Sequence, residues 1–192
     1  MELSTRQLEI VEATGRLLTS YGLGGLTIKN LAKEMRFAES ALYRHFKNKE
    51  EIIVSLLQYL VDNIEERMRR ISFSDQPEDN FSALFRSQFE FFRDKPYFVA
   101  AVFSDSLMEE NKNINKMILK LINIKTQYLV QIIQDGQAKG VFTNEIPTEQ
   151  IVNIIMGSFQ LQMLKWRISN FRFDIIETGD QMIQSLLTLI RK

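Results

Sequence analysis

The sequence predicts an all-α protein, and three observations carry that prediction. Its long uninterrupted stretches space apolar residues three and four apart rather than alternately. Only three prolines, Pro77, Pro96 and Pro147, and eight glycines punctuate the 192 residues. No stretch reads as a strand, a low-complexity tract or a repeat of solenoid period. With 45% hydrophobic and 25% charged residues, the chain has the apolar material for one globular unit or two small ones.

The first helix opens at Ser4, whose hydroxyl can cap an orphan amide while Gln7 reaches back as in a capping box. Ile10, Ala13, Leu17 and Tyr21, with Val11 and Leu18 beside them, form its apolar stripe. Its end is expected near Tyr21, because Gly22, Gly24 and Gly25 supply the backbone freedom of a tight exit. Thr27 caps a second helix that places Ile28, Leu31, Ala32 and Met35 on one face and finishes by about Met35. A third short helix follows three or four residues later and turns Ala41, Leu42 and Phe46 inward. Asn48, with Glu51 three residues on, opens a longer helix through Ile52, Leu56, Leu60 and Ile64 to about Ile71.

The polar segment from Ser72 to Asn80, with Pro77 inside it, is the most linker-like part of the chain. Helices are then expected over about 78–93, 96–109, 113–139, 147–169 and 173–191. Pro96 and Pro147 sit where first-turn prolines belong, and Gly140 sits where a C-terminal glycine belongs. The functional boundary is placed earlier than the linker, near Asn48: residues 1–48 form a small helical head, and residues 49–192 a larger helical bundle, about nine helices in all.

Composition removes several classes of chemistry. The chain has no Cys and a single His, His45, which excludes disulfides, thiolate zinc sites, iron–sulfur clusters and a multi-histidine metal site within one chain. No cofactor or metal is expected. Charged residues break every apolar run short of a membrane span, and the N-terminus lacks a basic-then-apolar signal pattern, so no membrane partner and a cytoplasmic location are expected. The 24 basic residues equal the 24 acidic ones, so nucleic-acid binding must rest on local charge. Residues 27–49 supply that charge. They hold Lys29, Lys33, Arg36, Arg44, Lys47 and Lys49 against only Glu34 and Glu39, a surplus of four, on two short helices joined by a tight turn. A packing helix followed by such a pair is a helix-turn-helix, whose second member enters the major groove. Lys33 and Lys47 read as solvated surface.

The runs Leu26-Thr27-Ile28-Lys29-Asn30-Leu31-Ala32 and Ala41-Leu42-Tyr43-Arg44-His45-Phe46-Lys47-Asn48-Lys49-Glu50-Glu51-Ile52 resemble the DNA-binding head of TetR-family transcriptional regulators. The match covers roughly residues 4–55 in order and spacing. The resemblance implies that Thr27, Tyr43, His45 and Lys49 hold the DNA backbone, while Lys29, Glu39, Ser40 and Arg44 reach phosphates or base edges. Two positions depart from the family pattern. Arg36 stands where the turn usually has glycine and would be mildly strained at positive φ, so either the turn differs slightly or the basic side chain adds a phosphate contact. Ala38 replaces a Ser or Thr cap, a loss of about 1 kcal/mol.

In the second half, Phe81, Phe85, Phe89 and Phe92 form one helical stripe, which suits core packing. The resemblance implies a small effector bound here and a dimer closed by the last two helices. Candidates to line an apolar or aromatic-compatible pocket are Phe89, Phe92, Phe103, Met108, Tyr128, Met156, Phe159, Met163 and Trp166. The last two helices carry more apolar surface than a hairpin needs, which a homodimer or the interior of the monomer would bury. Gly157-Ser158 and Gly179 would admit close helix approach. The expected function is therefore a repressor that leaves a pseudo-palindromic double-stranded operator when its effector binds. A helical adaptor that binds protein is the alternative. A hydrolase or transferase is disfavoured, because no nucleophile or phosphate-binding motif is present and Asp105, Glu109 and Glu110 read as a solvated helix end.

Overall fold

Side chains near the helix ends satisfy the backbone groups that the helices leave open. The computed structural model describes residues 3–103, 107 and 112–192. The described helices are α1 (Thr5–Gly25), α2 (Ile28–Met35), α3 (Glu39–Tyr43), α4 (Lys49–Arg70), α5 (Pro77–Asp94), α6 (Tyr97–Val102), α7 (Lys112–Ala138), α8 (Thr148–Ile168) and α9 (Ile175–Ile190). Among the described residues the only extended pairing is an isolated bridge between Phe142 and Arg191, so the protein is all-α. Beyond Phe103, the predicted helix over 96–109 lies mostly outside the described residues.

The capping box at Ser4 is formed: Ser4 Oγ accepts from the Gln7 amide at 3.3 Å, and Gln7 Oε1 accepts from the Ser4 amide at 3.0 Å. Gly22, at φ 64° and ψ −169°, interrupts the helix directly after Tyr21, where the sequence places its end. Arg36 takes the left-handed conformation, φ 57° and ψ 41°. Its amide donates to Lys33 O at 3.1 Å and that of Phe37 to Ala32 O at 2.8 Å, the paired bonds of a Schellman ending built on arginine instead of glycine. Gly140, at φ 70°, closes α7 in the same way, with amide bonds from Gly140 to Gln137 O and from Val141 to Gly136 O. Ala38 stands before α3 with no side-chain cap, as its methyl group dictates.

The chain divides into two compact units interleaved in sequence. The first comprises Met1–Asn63 and Lys95–Ile122; the second comprises Ile64–Asp94 and Asn123–Lys192. Helices α4 and α7 each contribute residues to both.

In the first unit α1 packs against α2 and α6. Gly15 makes the second contact possible, since a Cβ there would stand 2.7 Å from Tyr97 Cδ2 and 3.5 Å from the Phe98 ring. Thr19 Oγ1 also donates to Tyr97 O at 3.1 Å. Lys95 ties three segments together: its Nζ donates to Glu12 Oε1 at 2.7 Å and to the Tyr59 hydroxyl at 2.9 Å. Burial pulls the Lys95 pKa down, but these hydrogen bonds outweigh it and hold the ammonium above the ordinary lysine range.

The second unit is built on the predicted aromatic stripe. Phe81, Phe85, Phe89 and Phe92 are all buried, and the Phe159 ring of α8 stands 5.6 Å from Phe85 and 5.5 Å from Phe89. Gly179 is the corresponding small residue on α9, since a Cβ there would meet the Phe89 ring at 2.5 Å. Its closeness to another helix therefore serves packing within the monomer, against α5. Outside this core, Arg86 reaches Asp180 through two hydrogen bonds, at 3.2 and 2.8 Å, and Asn80 braces the preceding loop by pairing with both backbone groups of Ser74.

Candidate DNA-binding face and ligand site

The head exposes its polar residues because its apolar ones are consumed by packing. Leu31, Ala32, Leu42 and Phe46 are buried, whereas the predicted inward residue Ala41 is half-buried. Anchoring α3 through Leu42 leaves Glu39, Ser40, Tyr43 and Arg44 exposed on a contiguous face, with Tyr43 53% exposed. Lys29, Lys33, Arg36 and Lys47 are also exposed.

Thr27 caps α2, its Oγ1 accepting from the Asn30 amide at 3.1 Å. The remaining amides of that first turn point where an anion can bind, and the exposed Thr27 stands beside them. Asn48 Oδ1 accepts from Glu51 N at 2.8 Å, which sets Lys49 in the first turn of α4. Lys49 and His45 are half-buried. The His45 carbonyl accepts from Gln7 Nε2 at 3.4 Å, tying the segment after α3 to the start of α1. The eight predicted DNA-facing residues thus stand on α2 and at its N-cap, on α3 and the segment after it, and on the first turn of α4.

The seven pocket candidates of the second unit do not gather in one place. Met156 and Phe159 line a narrow apolar cleft of the second unit together with Ile64, Met68, Leu84, Phe85, Gln88 and Lys125. Its free space is about 10 Å³, no more than one water occupies. Phe89, Phe92, Met163 and Trp166 are core residues, and the Trp166 indole donates to Phe173 O at 3.0 Å. Tyr128 instead borders an open groove with Glu65, Arg69 and Gln131, and its ring stacks on Phe73 at 6.3 Å. Phe103 belongs to the first unit, and Met108 lies outside the described residues.

Sequence reading missed the polar groups of this cleft. The Lys125 ammonium stands 4.6 Å from the centroid of Phe159 and 5.6 Å from that of Phe92. Burial, with a smaller contribution from the Arg67 charge, lowers its pKa from 10.5 to about 7. Gln88 is 3% exposed, and neither its Nε2 nor its Oε1 has a hydrogen-bond partner. Arg67, outside the lining of this cleft, has its pKa lowered to about 10 by burial against the opposing effect of Glu90 and donates through Nη1 to Ser87 O and Oγ at 2.8 and 3.0 Å. A signal for Lys125 was present in the pattern. Ile118, Leu121, Leu129 and Ile132 form the buried stripe of α7, and Lys125 occupies the stripe position between them. Gln88 likewise falls between Leu84, Phe85 and Phe92 on α5.

A tri-helical head with an exposed α3, joined to a larger helical part, defines a helix-turn-helix regulator. Residues 10–56 match the model for bacterial regulatory proteins of the tetR family, and residues 55–189 that for the YsiA-like protein C-terminal region. The chain belongs to the TetR family of transcriptional regulators, which are not enzymes. It is 23% identical to the uncharacterized HTH-type transcriptional regulator YerO of Bacillus subtilis (strain 168), over 96% of this chain and 66% of that protein. It therefore spans just under two thirds of that relative's length. Its fold is that of the ketosteroid transcriptional regulator KstR2 of Mycobacterium tuberculosis, with TM-score 0.84 and 20% identity, covering 100% of this chain and 97% of that one. It is also that of the regulator FadR of B. subtilis in complex with stearoyl-CoA, with TM-score 0.81 and 17% identity over 96% and 99% of the two chains. Among the described residues no helix is long and apolar enough to cross a membrane.

Proposed function

We propose that this protein is a ligand-responsive repressor that occupies a pseudo-palindromic double-stranded operator as a homodimer and leaves it when a small-molecule effector binds. The observation that carries the reading is the exposed face of α3, where Glu39, Ser40, Tyr43 and Arg44 stand clear of a helix held by buried Leu42. Residues 1–48 read DNA. Thr27, Tyr43, His45 and Lys49 hold phosphates, and Lys29, Glu39, Ser40 and Arg44 reach phosphates or base edges. Residues 49–192 bind the effector and dimerise. The protein acts in the cytoplasm, where its operator lies.

Support for the dimer comes from α8. Ile154, Leu161, Leu164 and Ile168 are 51%, 50%, 40% and 71% exposed, a stripe that a second copy would cover. A Cβ on Gly157, beside this stripe, would meet nothing within 4 Å. Support for an apolar effector comes from the relatives, one a ketosteroid regulator and another holding stearoyl-CoA. Coupling runs through α4, whose first turn carries Lys49 and whose last turns carry Ile64 and Met68 of the cleft.

Selection of bound duplexes from a random DNA pool tests the reading. A palindromic winner, bound more weakly by the Lys49→Ala and Tyr43→Phe proteins, is the expected result. No enrichment at low salt from a folded dimer would overturn it and favour the protein-binding adaptor.

A further inference from the structure

Polar groups enclosed by apolar walls are costly unless they are paired, and buried amides are nearly always hydrogen-bonded. The cleft of the second unit violates this at Gln88, and the half-buried Lys125 lines the same cleft. Gln88 leaves both ends of its amide unsatisfied, and the Lys125 ammonium faces the rings of Phe159 and Phe92 with no carboxylate recorded against it among the described residues. The surrounding surface is thioether, aliphatic and aromatic: Met68, Leu84, Phe85, Met156 and Phe159. Two donors thus line one cleft whose wall is otherwise apolar. Aromatic faces compensate part of the cost of a half-buried ammonium but satisfy none of the Gln88 amide.

We infer that this cleft is the binding site for an amphiphile with one carboxylate and a slender, unbranched apolar chain, whose carboxylate takes hydrogen bonds from Lys125 Nζ and Gln88 Nε2. The inference rests on the effector-binding reading above and gives that effector its chemical class. The carboxylate supplies the opposite charge that the Lys125 site lacks, together with acceptors for both donors. The chain is slender because the free space is about 10 Å³, so an occupant must part the side chains, and a narrow one displaces the fewest. Met68 and Met156, unbranched and adaptable, are the side chains that yield. Burial pulls Lys125 toward its neutral form, and an adjacent carboxylate restores the charged one.

Calorimetric titration of the full chain with dodecanoate, and separately with dodecanol, tests the assignment. Dodecanoate is expected to bind roughly 10- to 100-fold more tightly than the alcohol, as a charged hydrogen-bonded pair in an enclosed site requires. Lys125→Met, which keeps length and apolar volume, is expected to erase the preference for the acid over the alcohol. Gln88→Glu, which sets a resident carboxylate beside Lys125, is expected to erase it as well. Equal binding of the acid and the alcohol, no binding of either, or full preference retained in Lys125→Met would overturn the inference. Selected operator DNA separates this from the repressor reading. A protein that binds duplex but prefers no carboxylate refutes the ligand class alone, and one with Lys125-dependent dodecanoate binding but no duplex refutes DNA readout alone.

Discussion

Lys125→Met is expected to stabilise the protein, and to do so by an amount that depends on pH. In the unfolded chain the Lys125 amine keeps its proton up to about pH 10.5, whereas in the folded protein burial releases it near pH 7. Between those values the unfolded state binds more protons, so wild-type stability rises with pH; below pH 7 both states are charged and the contribution is flat. Each pH unit inside the window contributes at most about 1.4 kcal/mol, giving a ceiling of about 3 kcal/mol between pH 7 and pH 9. Lys125 is half-buried and its ammonium lies near two rings, so a gain of about 1–2 kcal/mol is expected over that interval. Urea unfolding followed by circular dichroism at pH 6, 7, 8 and 9, at one fixed protomer concentration, measures it for both proteins. The Lys125→Met protein should be the more stable at pH 6, with the difference shrinking steadily toward pH 9. Parallel pH profiles, or a variant less stable than wild type at pH 6, would refute an enclosed and uncompensated ammonium.

Three further predictions follow from the first unit. Arg36→Gly relieves a left-handed arginine and should raise stability by about 1 kcal/mol in thermal unfolding; an unchanged or lowered midpoint would show that the turn favours its side chain. Gly15→Ala drives a methyl group against Tyr97 and should cost about 1–3 kcal/mol, with the altered packing visible in near-ultraviolet circular dichroism. Lys49→Ala should weaken binding to the selected duplex about equally across sequence variants and reduce the slope of log affinity against log salt by about one; a change confined to one base position would instead make Lys49 a reader of sequence.

The parts of this molecule legible in its sequence are those governed by local chemistry. Ser4 with Gln7, Thr27, and Asn48 with Glu51 mark helix starts because a side-chain oxygen three residues from an amide is a local event. Arg36 is readable as a positive-φ position only through the resemblance, which sets glycine at that place in the turn. The polar cluster was hidden because its members are 37 residues apart on α5 and α7, and a single Lys on an apolar stripe reads as a snorkelling side chain until its neighbours are known. Gly179 shows the same limit. Its smallness announces a close neighbour, but only the fold shows that this neighbour is Phe89 of the same chain.

The interleaving of the two units decides which fragments of this protein can be studied alone. The face of α1 that carries Gly15, together with Glu12, is covered by residues 95–98, which the ribosome makes long after the head itself. A fragment ending at residue 48 or at residue 63 would strip that cover, leaving Glu12 without Lys95 and the Gly15 surface open to water. Nor can the remainder be cut free at Ile64, because that cut falls inside a continuous helix. Stability and DNA affinity are therefore expected to respond together to changes at Tyr97 or Lys95, more than 45 residues beyond the last predicted DNA contact. During synthesis, the head completes its packing only after α6 has left the ribosome.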